Sequence, residues 1–265
     1  MDARSWLTGK LKMASGSDVW LEGPAMIGLI RAVAALGESG LEGYVIVGGV
    51  AVTARLGEAH RATTDVDTVI DEVAHPNAVE ALLAHPDAKP DPTAAHGVQV
   101  GGTKVEIIGV GPVDDDSYHG MTELQTLFVA SHTWALTTAT PLRLVAGADP
   151  AVRVTAPFAT PAALFAMKLH AIQHRRPTSR PEKRSSDALD LYRLLLRHDA
   201  DSSLRTALAR GPEPLRHSVR AATQIVLIEG AVQTRRWMAA LGDQTDTLSP
   251  EEPRFLAHSV VDALS

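Results

Sequence analysis

The chain has 265 residues, 45% hydrophobic and 21% charged, close to globular averages, so one large or two small folded domains are expected and a disordered chain is not. It has no cysteine, which rules out a disulfide framework, thiolate-held zinc, iron–sulfur ligation and a cysteine nucleophile. A net charge of −6, from 25 Lys plus Arg against 31 Asp plus Glu, argues against a wholly basic coat for nucleic acid. Apolar runs stop well short of the ~20 residues of a membrane span, and the first residues lack a signal-peptide pattern, so no membrane association and a cytoplasmic location are expected.

In chain order, the first part mixes strands and helices. Residues 25–37 show apolar positions at helical spacing and a glycine stop. The run 44–47 (YVIV) predicts a short strand ending at Gly48-Gly49, and 50–56 is more helical. Residues 65–70 (DVDTVI) alternate charged and apolar, the mark of a half-buried strand. A proline-led helix is predicted over 76–84. Val98 to Val100 and the strand 104–110 flank Gly101-Gly102 as a hairpin. Residues 127–154 are rich in β-formers and predict more strand.

From Thr160-Pro161, an N-cap followed by a first-turn proline, the pattern turns almost wholly helical: 162–174, 182–198, 203–210, 213–240 and 250–264. The fold class expected is α/β (α+β), a mixed sheet with helices over 1–155 followed by a helical domain over 156–265. Within the second part, 168–197 carries eight basic and three acidic residues, so this segment is +5 on an acidic body. Such a stripe suits phosphates; it equally describes a solvated helix face with salt bridges.

The chemistry gathers in 48–71, GGVAVTARLGEAHRATTDVDTVID. Asp65 and Asp67, two apart in a strand, project from one face, where two carboxylates repel unless a cation sits between them; hard oxygens suit Mg²⁺. A strand running into Gly48-Gly49 and a helix start lets backbone N–H groups approach a phosphate that a β-carbon would obstruct. Glu106, in the strand 104–110, joins the two aspartates if its strand pairs beside theirs. Taken singly, each fragment also reads blandly, as a polar strand face or a turn. Their order is far harder to reach by accident.

That order resembles the polymerase-beta-type nucleotidyltransferase superfamily, and Gly48-Gly49 with Ala51, Gly57, Arg61, Thr63, Asp65 and Asp67 looks like the AbiEii group of toxin nucleotidyltransferases and their Men relatives. Lys168-Leu169-x-Ala171 and later Asp187-x-x-Asp190-Leu191 are similar to that group's helical motif, with Ser186 standing where the group usually has lysine. The resemblance spans roughly 44–195. It implies a polymerase-beta-like catalytic domain followed by a helical domain that contributes to the active site. Asp65, Asp67 and Glu106 would hold Mg²⁺ in a two-metal site, or Glu106 would take the acceptor's proton. Gly48 and Gly49 would cradle the triphosphate of an NTP, with Lys168 contacting it and Asp187 orienting Lys168. Arg61 is either a further phosphate contact or a surface ion pair.

The resemblance further implies transfer of a nucleoside monophosphate to the 3′ end of a tRNA, as the toxin of a toxin–antitoxin pair with a cognate antitoxin protein. The alternatives are an aminoglycoside-type small-molecule transferase and a non-catalytic nucleotide-binding or antitoxin module. Two other patterns carry less: Asp114 to Asp116 reads as an exposed loop, and Arg193-x-x-x-x-His198, a spacing used by some ribonucleases, surrounds Leu-Leu-Leu-Arg and reads as a buried helix.

Overall fold

A computed structural model of the chain describes residues 18–57, 63–94, 97–175, 181–241 and 252–265. Its frame is one mixed sheet of eight strands: β1 (Asp18–Leu21), β2 (Val45–Val47), β3 (Asp65–Asp71), β4 (Ala88–Pro90), β5 (Gly97–Val100), β6 (Thr103–Val110), β7 (Thr140–Ala146) and β8 (Asp149–Phe158). They lie in the order β1-β7-β8-β2-β3-β6-β5-β4. β3 and β6 at the centre run parallel, with Asp67 opposite Glu106, while β2 runs antiparallel to β3, with Val47 opposite Asp67. The β5–β6 hairpin turns at Gly101-Gly102 as the sequence predicts, both with positive φ (57° and 88°), the conformation a tight two-residue hairpin demands.

Helix α1 (Pro24–Glu38) packs across β3, β6, β7 and β8, and α2 (Gly48–Leu56) leaves β2 with no intervening loop. The predicted helix at 76–84 is shorter, α3 (Ala78–Leu83). The alternation read in DVDTVI holds: Val66 is fully buried, as is Val105 beside it, while Asp65 and Asp67 are half-buried on the other face.

One reading is corrected. The segment 127–154 is not mainly strand, because its first part belongs to a helix, α4 (Glu123–Thr138). A capping box starts it: Thr122 Oγ1 accepts from the Gln125 backbone N–H, and Gln125 Oε1 accepts from the Thr122 backbone N–H. Phe128, Val129, Thr133 and Trp134 favour strand intrinsically, but the cap and the burial of Leu127, Ala130, Ser131 and Ala135 on one face outweigh that preference. Only β7 and β8 follow, and β8 runs through residue 155 to Phe158.

The helical part comprises α5 (Pro161–His174), α6 (Pro181–Asp199), α7 (Ser203–Ala209), α8 (Glu213–Thr223), α9 (Ala231–Ala239) and α10 (Glu252–Ala263). The single helix expected over 213–240 is interrupted by a π-helical turn, Gln224–Glu229, and by Gly230, whose missing Cβ leaves room for the Ile225 carbonyl. Apolar side chains form two clusters, one around the sheet and one among the helices. Helix α5 serves both, giving Leu164 and Met167 to the first and Phe165 and Leu169 to the second. That double burial fixes where Lys168, between Met167 and Leu169, stands relative to the sheet.

Candidate active site

A strand must end before a helix can begin, and at 47–48 both happen within one residue. Gly48 takes φ +66°, a left-handed backbone conformation, and a Cβ there would fall on the Asp67 carboxylate. Glycine is therefore required twice over, by conformation and by space. Gly49 is buried within α2 just behind it.

Asp67 sits among like charges. Burial pushes its carboxyl up to about 6; Asp65 and Glu106 push the same way, while Lys168 and Lys183 oppose them. Asp65 Oδ2 lies 3.3 Å from Lys183 Nζ, and Glu106 Oε2 lies 3.3 Å from Lys104 Nζ. Each flanking carboxylate thus already has an ammonium partner. Among the described residues no three carboxylate or imidazole side chains are gathered as a ready-made metal cage. The donor set nonetheless suits a hard divalent cation, since three carboxylates on neighbouring positions of two parallel strands leave Asp67 short of positive charge.

Opposite the sheet, α5 and α6 bring a buried ion network. Lys168 Nζ is 2.7 Å from Asp187 Oδ1 and 2.8 Å from Asp190 Oδ2, and Arg175 Nε is 2.7 Å from Asp187 Oδ2. Asp187 and Asp190, three apart, share one face of α6, and all three of Lys168, Asp187 and Asp190 are buried. Burial raises the Asp187 carboxyl, but Lys168 and Arg175 outweigh it and hold it below the ordinary range.

A cavity of about 350 Å³ separates the two sides, and Gly48, Asp67, Glu106, Lys168, Lys183 and Asp187 all line it. Residues 101 positions apart in the chain, Asp67 and Lys168, thereby face one space. Asp65 reaches it through its partner Lys183. Arg61 lies outside the described residues, as do Arg176 and Arg180 of the basic stretch.

Of the stripe read in 168–197, Arg197 is exposed, while four other described basic residues meet partners. Lys168, Arg175 and Lys183 turn inward to carboxylates, and buried Arg184 stacks 4.9 Å over the Trp237 ring. The loop reading of Asp114 to Asp116 holds as a short 3₁₀ turn capped by Asp114. His198 is partly buried and Arg193 half-buried on α6.

The sequence reading missed Lys183 and Arg175 as site members, and also an aromatic wall of Phe128, His132, His170 and His174. Spacing of four residues, 128/132 and 170/174, was the available signal, hidden for the first pair by the strand reading of α4.

Among the described residues no helix is long and apolar enough to cross a membrane. No curated protein matches the chain. Among solved structures, the crystal structure of an antigenic nucleotidyltransferase-like protein from Paracoccidioides brasiliensis aligns at a TM-score of 0.39 and 19% identity, covering 74% of this chain and 92% of that one. The family model described as nucleotidyl transferase AbiEii toxin, type IV toxin–antitoxin system, matches residues 32–259. That span holds the glycine turn, the strand carboxylates and the Lys168–Asp187 pair, and the chain belongs to the AbiEii family of nucleotidyltransferases.

Proposed function

We propose that this nucleotidyltransferase moves a nucleoside monophosphate from an NTP onto the 3′ end of a tRNA, with Mg²⁺, as the toxin of its pair. The sheet part over 1–155 carries the catalytic carboxylates, and the helical part over 156–265 supplies the cations and the acceptor surface. The observation that carries this reading is the single cavity shared by Gly48, Asp67 and Glu106 on one side and Lys168 on the other.

In the reaction, the acceptor oxygen attacks the α-phosphorus, the bond from that phosphorus to the bridging oxygen of the β-phosphate breaks, and pyrophosphate leaves. Asp65, Asp67 and Glu106 would hold Mg²⁺, which would supply charge neutralisation for the triphosphate. Gly48 lets backbone N–H groups at the start of α2 approach phosphate oxygens. Lys168, oriented by Asp187 and Asp190, donates to the triphosphate, and Arg175 adds a second donor from the end of α5. Glu106 either completes a second metal site or takes the acceptor's proton.

An RNA acceptor is favoured by the outer face of α9 and α10. There Arg235, Arg236, Arg254 and His258 surround exposed Phe255 and Val232 in a depression of about 790 Å³, a combination of phosphate-binding and base-stacking chemistry. The test is incubation of the protein with each labelled NTP, Mg²⁺ and either total tRNA or an aminoglycoside panel. Label at the tRNA 3′ end with release of pyrophosphate is expected. Label on aminoglycosides alone would replace the acceptor, and label on neither would overturn the reading.

A further inference from the structure

The cavity has a second wall with different chemistry. Phe128 and His132 lie four apart on α4, and His170 and His174 four apart on α5, so each pair shares one helix face. The rings meet: Phe128 and His132 centroids are 4.2 Å apart, Phe128 and His170 5.1 Å, and His170 and His174 5.3 Å with planes only 19° apart. All four residues line the space shared by Asp67 and Lys168.

His132 is 6% exposed, and its Nδ1 lies 2.7 Å from the Phe128 carbonyl oxygen. A carbonyl only accepts, so Nδ1 carries the proton and donates. Burial holds this ring well below the ordinary histidine range, at about 4, so it stays neutral. Its Nε2 is then a bare acceptor, with no partner among the described residues. Burial, with His132, His174 and Arg175 nearby, keeps His170 neutral too, at about 4. A wall made only to fill a core would close against its neighbours; this one borders open space, and the residue that carries the unused acceptor lines it.

We propose that Phe128, His132, His170 and His174 form the nucleobase subsite, in which the base stacks on the ring wall and offers an N–H to His132 Nε2. The proposal rests on the nucleotidyltransfer reading and adds which residues choose among NTPs. Phosphates are handled at the Gly48 and Lys168 end of the cavity, where the charges are; the ring wall offers a flat surface and one directional acceptor. A base satisfies both, because each has a π-face and an edge carrying N–H. Bases differ in where that N–H stands relative to their ring nitrogens and, where present, carbonyl oxygens, so a fixed acceptor discriminates among them.

Calorimetric titration of the full chain with Mg²⁺ tests this, using four non-hydrolysable NTP analogues and inorganic tripolyphosphate, which has no base. Wild type is expected to spread at least about tenfold in Kd over the four bases. His132→Phe keeps a ring and removes the acceptor: the spread should shrink to within about threefold while tripolyphosphate affinity stays unchanged. His170→Ala, at a half-buried position that tolerates truncation if the first variant does not fold, should weaken all four analogues about tenfold and leave tripolyphosphate unchanged. A wild-type spread that is absent, or that survives His132→Phe, overturns the proposal, as does equal loss of tripolyphosphate in either variant. Wild type that binds neither analogues nor tripolyphosphate overturns the nucleotidyltransfer reading itself, and with it the subsite.

Discussion

In the cleft every cation described faces an acid: Lys168 meets Asp187 and Asp190, Arg175 meets Asp187, Lys183 meets Asp65, and Lys104 meets Glu106. On the outer face of α9 and α10, Arg235, Arg236 and Arg254 pair with no carboxylate among the described residues, and Phe255 beside them is 71% exposed. The difference teaches what each set is for. Paired cations, with Lys168 among them buried, are held in place before any substrate arrives, which suits a reaction governed by positioning and charge neutralisation. Outward, solvated cations would meet a partner's phosphates across water, where salt screens them.

The largest effect should come from the acids that the cleft cations serve. Asp65→Ala or Asp67→Ala should lower nucleotide transfer at saturating Mg²⁺ by about a thousandfold or more. The same variants should keep or raise thermal stability, since each removes one member of a mutually repelling set around Asp67. Initial-rate assays beside thermal melts check both. Wild-type turnover in either variant would break the claim that these carboxylates form the reaction centre.

Truncating a cation from each region sharpens the comparison. Lys168→Met leaves Asp187 and Asp190 buried with one fewer partner and should cost about 3–5 kcal/mol in denaturant unfolding. Arg235→Met, with no buried acid to abandon, should stay within about 0.5 kcal/mol of wild type. Equal losses would mean that the outer arginine is as built-in as the inner lysine.

How far the sequence revealed this site depends on whether the feature was local. The glycine turn, the alternating DVDTVI strand and the Asp187-x-x-Asp190 face are each set by a few adjacent residues, and pattern sufficed for them. That Asp67 lies beside Glu106 depended on β3 and β6 running parallel in register, which pattern could only pose as a condition. The pairing of Lys183 with Asp65 is longer in range still, joining residues 118 apart. Helix α4 was misread because its β-branched and aromatic residues were weighed without its cap at Thr122. With it went half of the ring wall. The basic segment 168–197 shows the limit most plainly: charge along a sequence does not say which way a helix turns it.

The interior's intolerance of added charge shows at His198, where α6 packs on α2. Burial holds its ring down at about 4, helped by Arg197, while a hydrogen bond with the Arg55 backbone opposes, as does Asp201. An unfolded chain takes this proton near 6.5 and the folded chain only near 4. The unfolded state therefore binds more protons between those values, and stability present above pH 6.5 is lost as pH falls toward 4, by about 2–3 kcal/mol. His198→Phe should lose stability less steeply over that window in unfolding measured at several pH values. An identical slope would place the acid sensitivity elsewhere.

The outer face answers to salt. If Arg235, Arg236 and Arg254 neutralise phosphates of a tRNA, the logarithm of acceptor affinity should fall linearly with the logarithm of salt concentration, each contact adding about 0.9 to the slope. Reversing the three to Glu should flatten that slope by roughly two to three and raise the acceptor's KM about tenfold at moderate salt. The KM for the NTP should hardly move, because Lys168, the cation proposed to meet its phosphates, is buried and paired. A small polycationic acceptor would behave the opposite way: drawn by the acidic body, it should bind as well or better after the reversals. Acceptor KM that ignores both salt and the reversals would leave the α9–α10 face with no part in holding RNA, and the acceptor would have to be sought on the cleft rim.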